Sequence, residues 1–304
     1  MDNKFVIVIM GPTASGKSDL SIKISDKIPS EIISADSMQV YRGMDIGTAK
    51  ATPEQQKHVR HHLIDILDIN ERLEVYSYTT LAQKAINEIW SRDKIPIIVG
   101  GSGLYIKALL YGLDPLPSDI ELKKRLYKKY DNDIGGLVDA LKLKDPKALK
   151  LFYTKPRKMI RALEVLELTG KSILDQNEKW NENKLLYNVH AYKLTWDRKD
   201  LFDRITVRTE EMLKQGWIEE TERLIKNGLL ESPTAWQAIG YNIITKYLNS
   251  DISYDEMRMR IISSTKKYVR RQDTWFNNQH PEAEKILLPE QYDNILNRIL
   301  SFKD

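Results

Sequence analysis

The first part of the chain alternates between short apolar runs and amphipathic segments. Lys4–Met10 is almost entirely apolar, and Glu31–Asp36 and Ile95–Val99 contain two shorter apolar runs. Tyr78–Arg92 carries apolar residues at helical spacing. Strands that are separated by helices of this length indicate βαβ units in a parallel sheet. His61–Ile66 is a candidate for one more strand.

The pattern changes near residue 118. Residues 119–180 show only helical periodicity and are rich in Lys and Leu. Leu186–Trp196 then alternates like a strand, and the chain reads as helical again from Arg198 onward. We therefore expect three segments: a first part of the core at residues 1–118, a helical insertion at 119–182, and a second part of the core at 183–304.

The first apolar run passes directly into an eight-residue motif, G-x-x-x-x-G-K-S. Backbone N–H groups of a Gly-rich turn at a helix N-terminus form a ready anion site. Lys17 adds a positive charge, and Ser18 adds a hydroxyl ligand for Mg²⁺. The motif indicates a bound phosphate or diphosphate and does not by itself specify ATP. The predicted diphosphate-binding residues are Gly11, Pro12, Thr13, Ala14, Ser15, Gly16, Lys17 and Ser18.

Together these patterns predict an α/β fold: a P-loop NTPase-like parallel sheet flanked by helices, with an all-helical insertion domain. The chain has 304 residues, of which 41% are hydrophobic and 30% charged, as is typical of globular proteins. No apolar run approaches the roughly 18 residues of a membrane span, and no signal peptide is visible. The absence of cysteine excludes disulfides and thiolate chemistry. We expect a cytoplasmic enzyme that does not bind membranes.

Asp36 and the Gly100–Tyr105 turn follow two of the predicted strands, where ligands of open α/β sheets bind. The Asp36 carboxylate could hold Mg²⁺ through water, act as a general base or cap a helix. In nucleotide hydrolases of this fold, a strand like Ile95–Val99 often ends in a Mg²⁺-holding Asp. Here it ends in Gly-Gly-Ser-Gly. The turn is either a second anion site with Ser102 as hydroxyl donor or a plain Gly-rich turn.

Three segments concentrate basic residues, although the net charge is only +4. Asp203–Arg208 is expected to open a helix with two arginines on one face, where they could clamp a phosphate. Arg258–Trp275 holds six Lys and Arg residues with two aromatics, and Arg157–Arg161 adds another patch. Such segments either contact a nucleic-acid backbone or are merely solvated helix faces.

Several specific motifs occur in order along the chain. They are Asp36–Lys50, His61–Asp65, Gly100–Tyr105, Arg161–Val165, Ala238–Tyr241 and Arg270–Trp275. With these motifs the chain resembles the bacterial tRNA dimethylallyltransferase family, from residue 4 to about residue 277. The Asp36–Lys50 block, Asp-Ser-Met-Gln-Val-Tyr-Arg-Gly-Met-Asp-Ile-Gly-Thr-Ala-Lys, is highly specific.

The resemblance implies a reaction and a set of site residues. The phosphate loop would bind dimethylallyl diphosphate, with Mg²⁺ at Ser18. The N6 amine of adenosine 37, in tRNAs that read U-initial codons, would attack the prenyl C1. The implied catalytic residues are Lys17, Asp36, Ser102 and Arg208, with Asp36 as base or hydrogen-bond acceptor at N6. The implied tRNA-binding residues are Asp36, Ser37, Met38, Gln39, Ser102, Lys124, Arg157, Lys158, Met159, Ile160, Arg161, Gly240, Tyr241, Lys267 and Arg271.

The resemblance also implies that the helical insertion grips the anticodon stem-loop, and we expect a monomer without a protein partner. Two rival functions are a P-loop small-molecule kinase with Asp36 on Mg²⁺, and a non-catalytic nucleic-acid-binding protein. The Asp36–Lys50 block argues against both. The chain departs from the family pattern at four positions where we assign no individual tRNA contact: Lys155, Asn242, Lys266 and Asn277.

Overall fold

The computed structural model describes residues 4–112, 116–175 and 184–301. Within them, six parallel strands form one sheet in the order β3-β2-β4-β1-β5-β6. The strands are β1 (Phe5–Met10), β2 (Ser30–Ser34), β3 (His61–His62), β4 (Ile95–Gly100), β5 (Asn188–Trp196) and β6 (Glu284–Leu288).

Helices connect and cover the strands. In chain order they are α1 (Lys17–Ser25), α2 (Pro53–His58), α3 (Val75–Trp90), α4 (Gly103–Tyr111), α5 (Ile120–Tyr130), α6 (Ile134–Lys144), α7 (Pro146–Phe152), α8 (Pro156–Thr169), α9 (Arg198–Lys214), α10 (Trp217–Lys226), α11 (Tyr241–Leu248), α12 (Tyr254–Gln279) and α13 (Tyr292–Leu300). Two short 3₁₀ turns, Leu229–Glu231 and Ala235–Gln237, lie between α10 and α11. Among the helices of the described ranges, none combines the length and apolarity that crossing a bilayer requires.

The central strand β1 explains the apolar run near the start of the sequence. It pairs with β4 on one side and β5 on the other, and its residues Val6–Met10 have no exposed surface. A strand that is covered on both faces reads as continuously apolar rather than alternating. Ile7 and Ile9 of this strand pack in one cluster with Leu20 and Ile24 of α1. The helix that begins at the phosphate loop is thereby held against the sheet.

The chain divides by its internal contacts into two compact units. One comprises Met1–Leu110 and Leu185–Asp304, and the other comprises Tyr111–Lys184. The second unit contains α5–α8 and has its own apolar core, in which Leu137, Leu141 and Leu163 are buried. Its first three helices are capped locally, because the side chains of Asp119, Asp133 and Asp145 each accept a hydrogen bond from a backbone N–H of the following turn.

The observed strands differ from the expected pattern in two places. His61–Ile66 is a strand only at His61–His62, because Leu63 and Asp65 adopt positive φ angles of 61° and 53°. The expectation of purely helical structure after residue 198 is also wrong, since Glu284–Leu288 forms the strand β6. This strand pairs with β5, and only two of its five residues are buried, so its sequence carries little of the apolar signal of a central strand.

Candidate active site

Three loops meet beyond the carboxyl ends of β1, β2 and β4, which are neighbours in the sheet. They are the phosphate loop at residues 11–18, the turn at Ala35–Met38 and the turn that begins at Gly101. The last two lie in contact, since a Cβ on Gly100 would stand 2.1 Å from the carbonyl oxygen of Ala35. Only glycine permits this approach of two backbones. The sheet therefore brings Asp36 to the phosphate loop, as the sequence predicted.

The phosphate loop is held by side chains from much later in the chain. The Trp196 indole N–H donates to the carbonyl oxygen of Ser15 at 3.0 Å, and Arg204 Nε donates to that of Ala14 at 2.9 Å. The backbone N–H of Thr13 donates to Gln272 Oε1 at 3.0 Å. Three consecutive loop residues are thus fixed by β5, α9 and α12.

The predicted arginine pair lies at this loop, although its helix begins earlier than expected. The helix α9 starts at Arg198 and is capped by Asp197, so Asp203 lies inside the helix and does not open it. Arg204 holds the loop backbone, and Arg208 Nη1 donates to Thr13 Oγ1 at 3.2 Å. Burial lowers the pKa of Arg208, while the nearby Asp36 carboxylate opposes that shift. The Arg208 guanidinium is therefore a desolvated cation beside the anion site.

Lys17 folds back onto its own loop. Its Nζ donates to the carbonyl oxygen of Pro12 at 2.6 Å and to Ser15 Oγ at 3.4 Å. Desolvation, followed by the positive charge of Arg208, lowers the pKa of the Lys17 ammonium to about 7. A bound anion would relieve both effects, because it would pair with Lys17 and screen it from Arg208.

Asp36 lies at the centre of the site and does not cap a helix. Its Oδ1 accepts a hydrogen bond from the backbone N–H of Met38 at 2.8 Å, within a turn that leads into irregular structure. The helix-cap alternative for Asp36 is therefore wrong. The Asp36 charge also adds to burial in raising the pKa of Tyr268, which faces the same space.

Ser102 supports the Asp36 turn. Its Oγ accepts a hydrogen bond from the backbone N–H of Ser37 at 3.1 Å, and its own N–H donates to the Ala35 carbonyl oxygen at 3.0 Å. Ser102 does not line the two cavities described below. Both hydrogen bonds hold Ser102 against the Asp36 turn, and its expected catalytic role stays a prediction.

Two cavities share a wall at Asp36. The larger, of about 670 Å³, contains the phosphate loop with Lys17 and Ser18. The smaller, of about 280 Å³, is lined on one side by Ile205, Met212 and Trp217 and is mainly apolar there. The residues that line both cavities are Thr13, Ala14, Asp36, Thr48, Arg208 and Tyr268. An anion in one cavity and an apolar or aromatic group in the other would thus meet between Asp36 and Arg208.

The larger cavity also offers oxygen ligands for a divalent cation. The Ser18 hydroxyl and the carboxylates of Asp19 and Asp36 all line it. No cluster of three metal-ligating side chains occurs within the described ranges. Mg²⁺ commonly binds through few protein oxygens together with phosphate oxygens and water, so this donor set fits a cation that arrives with a diphosphate.

A buried carboxylate that the sequence reading missed shapes the smaller cavity. Glu220 accepts hydrogen bonds from the backbone N–H groups of Asp45, Ile46 and Gly47 at 2.7–3.1 Å, and from the Tyr241 hydroxyl at 2.7 Å. The segment that it holds includes the Gly47 wall of the cavity. Its only sequence signal is an acidic residue on the buried face of an amphipathic helix.

Several residues that are predicted to bind tRNA have side chains that are packed or hydrogen-bonded within the protein. Met159 and Ile160 are buried in the core of the helical unit, because they lie on the apolar face of α8. Tyr241 is fully buried and paired with Glu220, and the preceding Gly240 lies against the Trp217 ring. The Gln39 amide donates to the carbonyl oxygens of Thr48 and Ala49. The side chains of Met159, Ile160 and Tyr241 are thus buried, while the Gln39 amide lines the larger cavity and is already hydrogen-bonded within the protein.

Arg161 is committed to the helical unit itself. Its guanidinium pairs with the fully buried Glu164 at 2.7 Å and donates to the carbonyl oxygens of Leu116 and Pro117. The Arg161 guanidinium is thus engaged by groups of the protein, and its expected contact with a tRNA phosphate stays a prediction. Its neighbours on the same helix, Arg157 and Lys158, are exposed.

We expect Arg161→Met to destabilise the protein. The change leaves Glu164 buried without its cation, which should lower the free energy of unfolding by about 1–3 kcal/mol. The matched variant Arg157→Met removes an exposed arginine one turn earlier and should change stability by less than about 0.5 kcal/mol. Denaturant unfolding of both variants is the measurement, and equal stabilities would contradict the structural role of Arg161.

The remaining basic residues that are predicted to bind tRNA differ in the partners that their side chains contact. Lys124 pairs with Glu121 at the surface, and the Lys158 ammonium lies 5.5 Å from the centre of the Phe152 ring. Arg271 lines the smaller cavity and lies over Tyr268. Lys267 is exposed, and the described part of the chain contains no acidic side chain in an ion pair with it. Ser37 and Met38 line the smaller cavity.

Comparison with known proteins identifies the family. A family model described as IPP transferase matches residues 39–279. The tRNA dimethylallyltransferase 2 of Syntrophus aciditrophicus is 42% identical over 274 residues, which are 89% of this chain and 88% of that protein. The crystal structure of a tRNA isopentenylpyrophosphate transferase from Bacillus halodurans matches with a TM-score of 0.72 at 34% identity, and covers 99% of this chain and 96% of that one.

A further solved structure, a eukaryotic dimethylallyltransferase acting on tRNA, has a TM-score of 0.83 at 26% identity and covers 99% of this chain and 79% of that one. The shared architecture confirms the expected P-loop NTPase-like sheet. The family model begins three residues after Asp36 and spans most of the sequence, including β4, α9 and the basic helix α12. The chain therefore belongs to the IPP transferase family.

Proposed function

We propose that this chain transfers the dimethylallyl group of dimethylallyl diphosphate to N6 of adenosine 37 in tRNAs that read U-initial codons. The observation that carries the proposal is the pair of cavities that meet at Asp36 and Arg208. One cavity has the positive charges and N–H groups that a diphosphate needs, and the other has apolar and aromatic walls. Relatives with the matching name support the choice of substrates.

The reaction is a single displacement. The N6 lone pair forms a bond to the prenyl C1 while the bond from C1 to the diphosphate oxygen breaks, and the bonding electrons leave with the diphosphate. The extra proton on N6 passes to the Asp36 carboxylate, which is the only acidic side chain that lines both cavities among the described residues. Products are N6-dimethylallyladenosine and inorganic diphosphate.

The chain stabilises the leaving group electrostatically. Lys17, Arg208 and the loop N–H groups would face the negative charge that grows on the diphosphate. A Mg²⁺ ion bound through Ser18, with Asp19 nearby, would neutralise further charge on those oxygens. The N–H groups of the loop need little reorientation to face this charge, because hydrogen bonds to Trp196 and Gln272 already hold the loop backbone.

The kinase alternative is not favoured. A phosphoryl transfer enzyme of this fold usually holds Mg²⁺ with an acid at the end of a second strand. Here β4 ends at Gly100, and the Gly101 carbonyl oxygen accepts a hydrogen bond from Gln272. The smaller cavity has apolar walls that suit a prenyl group or a nucleobase.

The test is transfer of label from dimethylallyl diphosphate to RNA. The purified chain is incubated with labelled dimethylallyl diphosphate, Mg²⁺ and unmodified tRNA that reads U-initial codons. A transcript with guanosine at position 37 is the matched control, since guanine has a carbonyl oxygen at C6 where adenine has the N6 amine. We expect label on the first RNA only. ATP turnover without prenyl transfer would contradict the proposal and revive the kinase alternative.

We further propose that the helical unit grips the anticodon stem-loop. The exposed Arg157 and Lys158 of α8 are its candidates for contacts with phosphate. We propose that the protein works as a cytoplasmic monomer, and the support is that residues of a single chain line both cavities.

We expect Lys267→Gln to weaken tRNA binding through phosphate. The variant should raise the KM for tRNA, reduce the log–log salt slope of tRNA binding by about one unit and spare the KM for dimethylallyl diphosphate. Lys226→Gln, which removes a lysine paired with Glu222 on α10, is the control and should leave the slope unchanged. An unchanged slope with a raised KM for dimethylallyl diphosphate would assign Lys267 to the small substrate instead.

We expect diphosphate affinity to fall as the pH rises above 7. The pKa of Lys17 is about 7 in the free protein, and an anion favours the charged ammonium. Binding above pH 7 must therefore take up a proton, which costs up to tenfold in Kd per pH unit. Titration calorimetry with inorganic diphosphate in two buffers measures that uptake. In Lys17→Met the proton uptake that belongs to the Lys17 amine should vanish. If the same uptake persists in this variant, another group takes up the proton.

A further inference from the structure

One buried amide joins two of the three loops that form the site. The Gln272 side chain accepts a hydrogen bond from the Thr13 N–H at 3.0 Å and donates to the Gly101 carbonyl oxygen at 3.0 Å. Gln272 is 6% exposed. The orientation of the amide is fixed, because one partner can only donate and the other can only accept. The contact is close as well, since a Cβ on Gly101 would stand 2.4 Å from Gln272 Nε2.

The link continues from Gly101 to Asp36. The next residue, Ser102, accepts the Ser37 N–H through its hydroxyl, and Ser37 follows Asp36 directly. The Asp36 carboxylate in turn accepts the Met38 N–H. A short series of hydrogen bonds therefore runs from the phosphate loop, through Gln272 and the Gly101 turn, to the proposed base.

We propose that Gln272 is a positioning residue that sets the placement of the phosphate loop relative to Asp36. The inference rests on the proposed function, because its consequence is a rate of prenyl transfer. Gln272 lines the larger cavity, but both ends of its amide are bonded to the loop backbones at Thr13 and Gly101. It acts by holding the phosphate loop and Asp36 at a fixed distance from each other. Misplacement of reacting groups by about 1 Å can cost 10²-fold in rate.

Two substitutions separate the roles of the amide. Gln272→Met keeps the length of the side chain and removes both hydrogen bonds. Gln272→Glu keeps an acceptor for the Thr13 N–H, but an ionised carboxylate cannot donate to the Gly101 carbonyl oxygen. A protonated carboxyl group can do both, so its hydrogen bonding at low pH matches that of the amide. Burial favours the protonated form.

The experiment measures single-turnover prenyl transfer at saturating substrates, together with the tRNA Kd and the melting temperature. We expect Gln272→Met to be slower by about 10–10²-fold with a tRNA Kd within twofold of the natural chain. Gln272→Glu should be slow at pH 8 and should recover relative to the natural chain as the pH falls. Asn87→Asp, which adds the same charge at an exposed position of α3, should match the natural chain at every pH.

The outcomes are distinct. A folded Gln272→Met variant with the natural rate, or a Gln272→Glu variant whose relative rate does not change with pH, overturns the inference while prenyl transfer by the natural chain still supports the proposed function. A rate loss that is explained entirely by a raised tRNA Kd makes Gln272 an RNA contact and also overturns it. If Gln272→Met does not fold, the pH response of Gln272→Glu decides. A natural chain that transfers no prenyl group overturns both.

Discussion

Replacement of Lys17 with alanine is expected to slow prenyl transfer by about 10²-fold or more. The ammonium lies within its own loop, bonded to the Pro12 carbonyl oxygen, and a bound diphosphate offers it a stronger partner. Its charge matters most as the bond to the prenyl C1 breaks and negative charge collects on the leaving oxygen. The loss should therefore appear in kcat as well as in the KM for dimethylallyl diphosphate.

The measurement is steady-state and single-turnover transfer by Lys17→Ala beside Lys27→Ala. Lys27 is an exposed lysine just beyond the other end of α1, so this control removes the same charge away from the loop. It should keep the natural rate. A Lys17→Ala enzyme within threefold of the natural rate would show that Arg208, the loop N–H groups and Mg²⁺ suffice for the leaving group.

Asp36→Ala is expected to lower the chemical step by about 10²–10⁴-fold, the range of a positioned general base. Binding of tRNA should stay largely intact, because a carboxylate adds no attraction toward a polyanion. Single-turnover prenylation and a tRNA binding titration separate these two effects. If binding collapses and the single-turnover rate survives, Asp36 is a docking residue and its assignment as base is wrong.

A second substitution separates the basicity of the Asp36 carboxylate from its role in shaping the turn. Asp36→Asn retains an oxygen that can accept the Met38 N–H, so the turn should keep its shape. It should nevertheless be as slow as Asp36→Ala, since an amide does not take the N6 proton. A rate for Asp36→Asn close to that of the natural chain would mean that Asp36 acts only through its hydrogen bonds.

Local sequence predicted the parts of the site whose chemistry is local. The phosphate loop combines a strand, a glycine turn and a helix within a short segment, and the Asp36 turn follows an apolar strand that the sheet must bury. Parallel pairing then brings both loops to one edge. These features need no knowledge of distant contacts.

The missed features depend on partners that are distant in sequence. Gln272 lies in a basic helix, and nothing near it shows that its amide faces Thr13 and Gly101. Glu220 looks like a surface acid until its helix packs over Asp45–Gly47. Arg161 pairs with Glu164 only three residues further on, but local sequence does not show that this carboxylate is fully buried.

The pairing of β1 with β5 has a consequence for synthesis. Phe5 pairs with Asn188, so one edge of the first strand has no partner until the whole helical unit has been translated. At about 5–20 residues per second that interval is roughly ten seconds or more. An apolar strand with an open edge can pair with other chains, which is a route to aggregation. The strand that is made first thus depends on a segment made much later to close its edge.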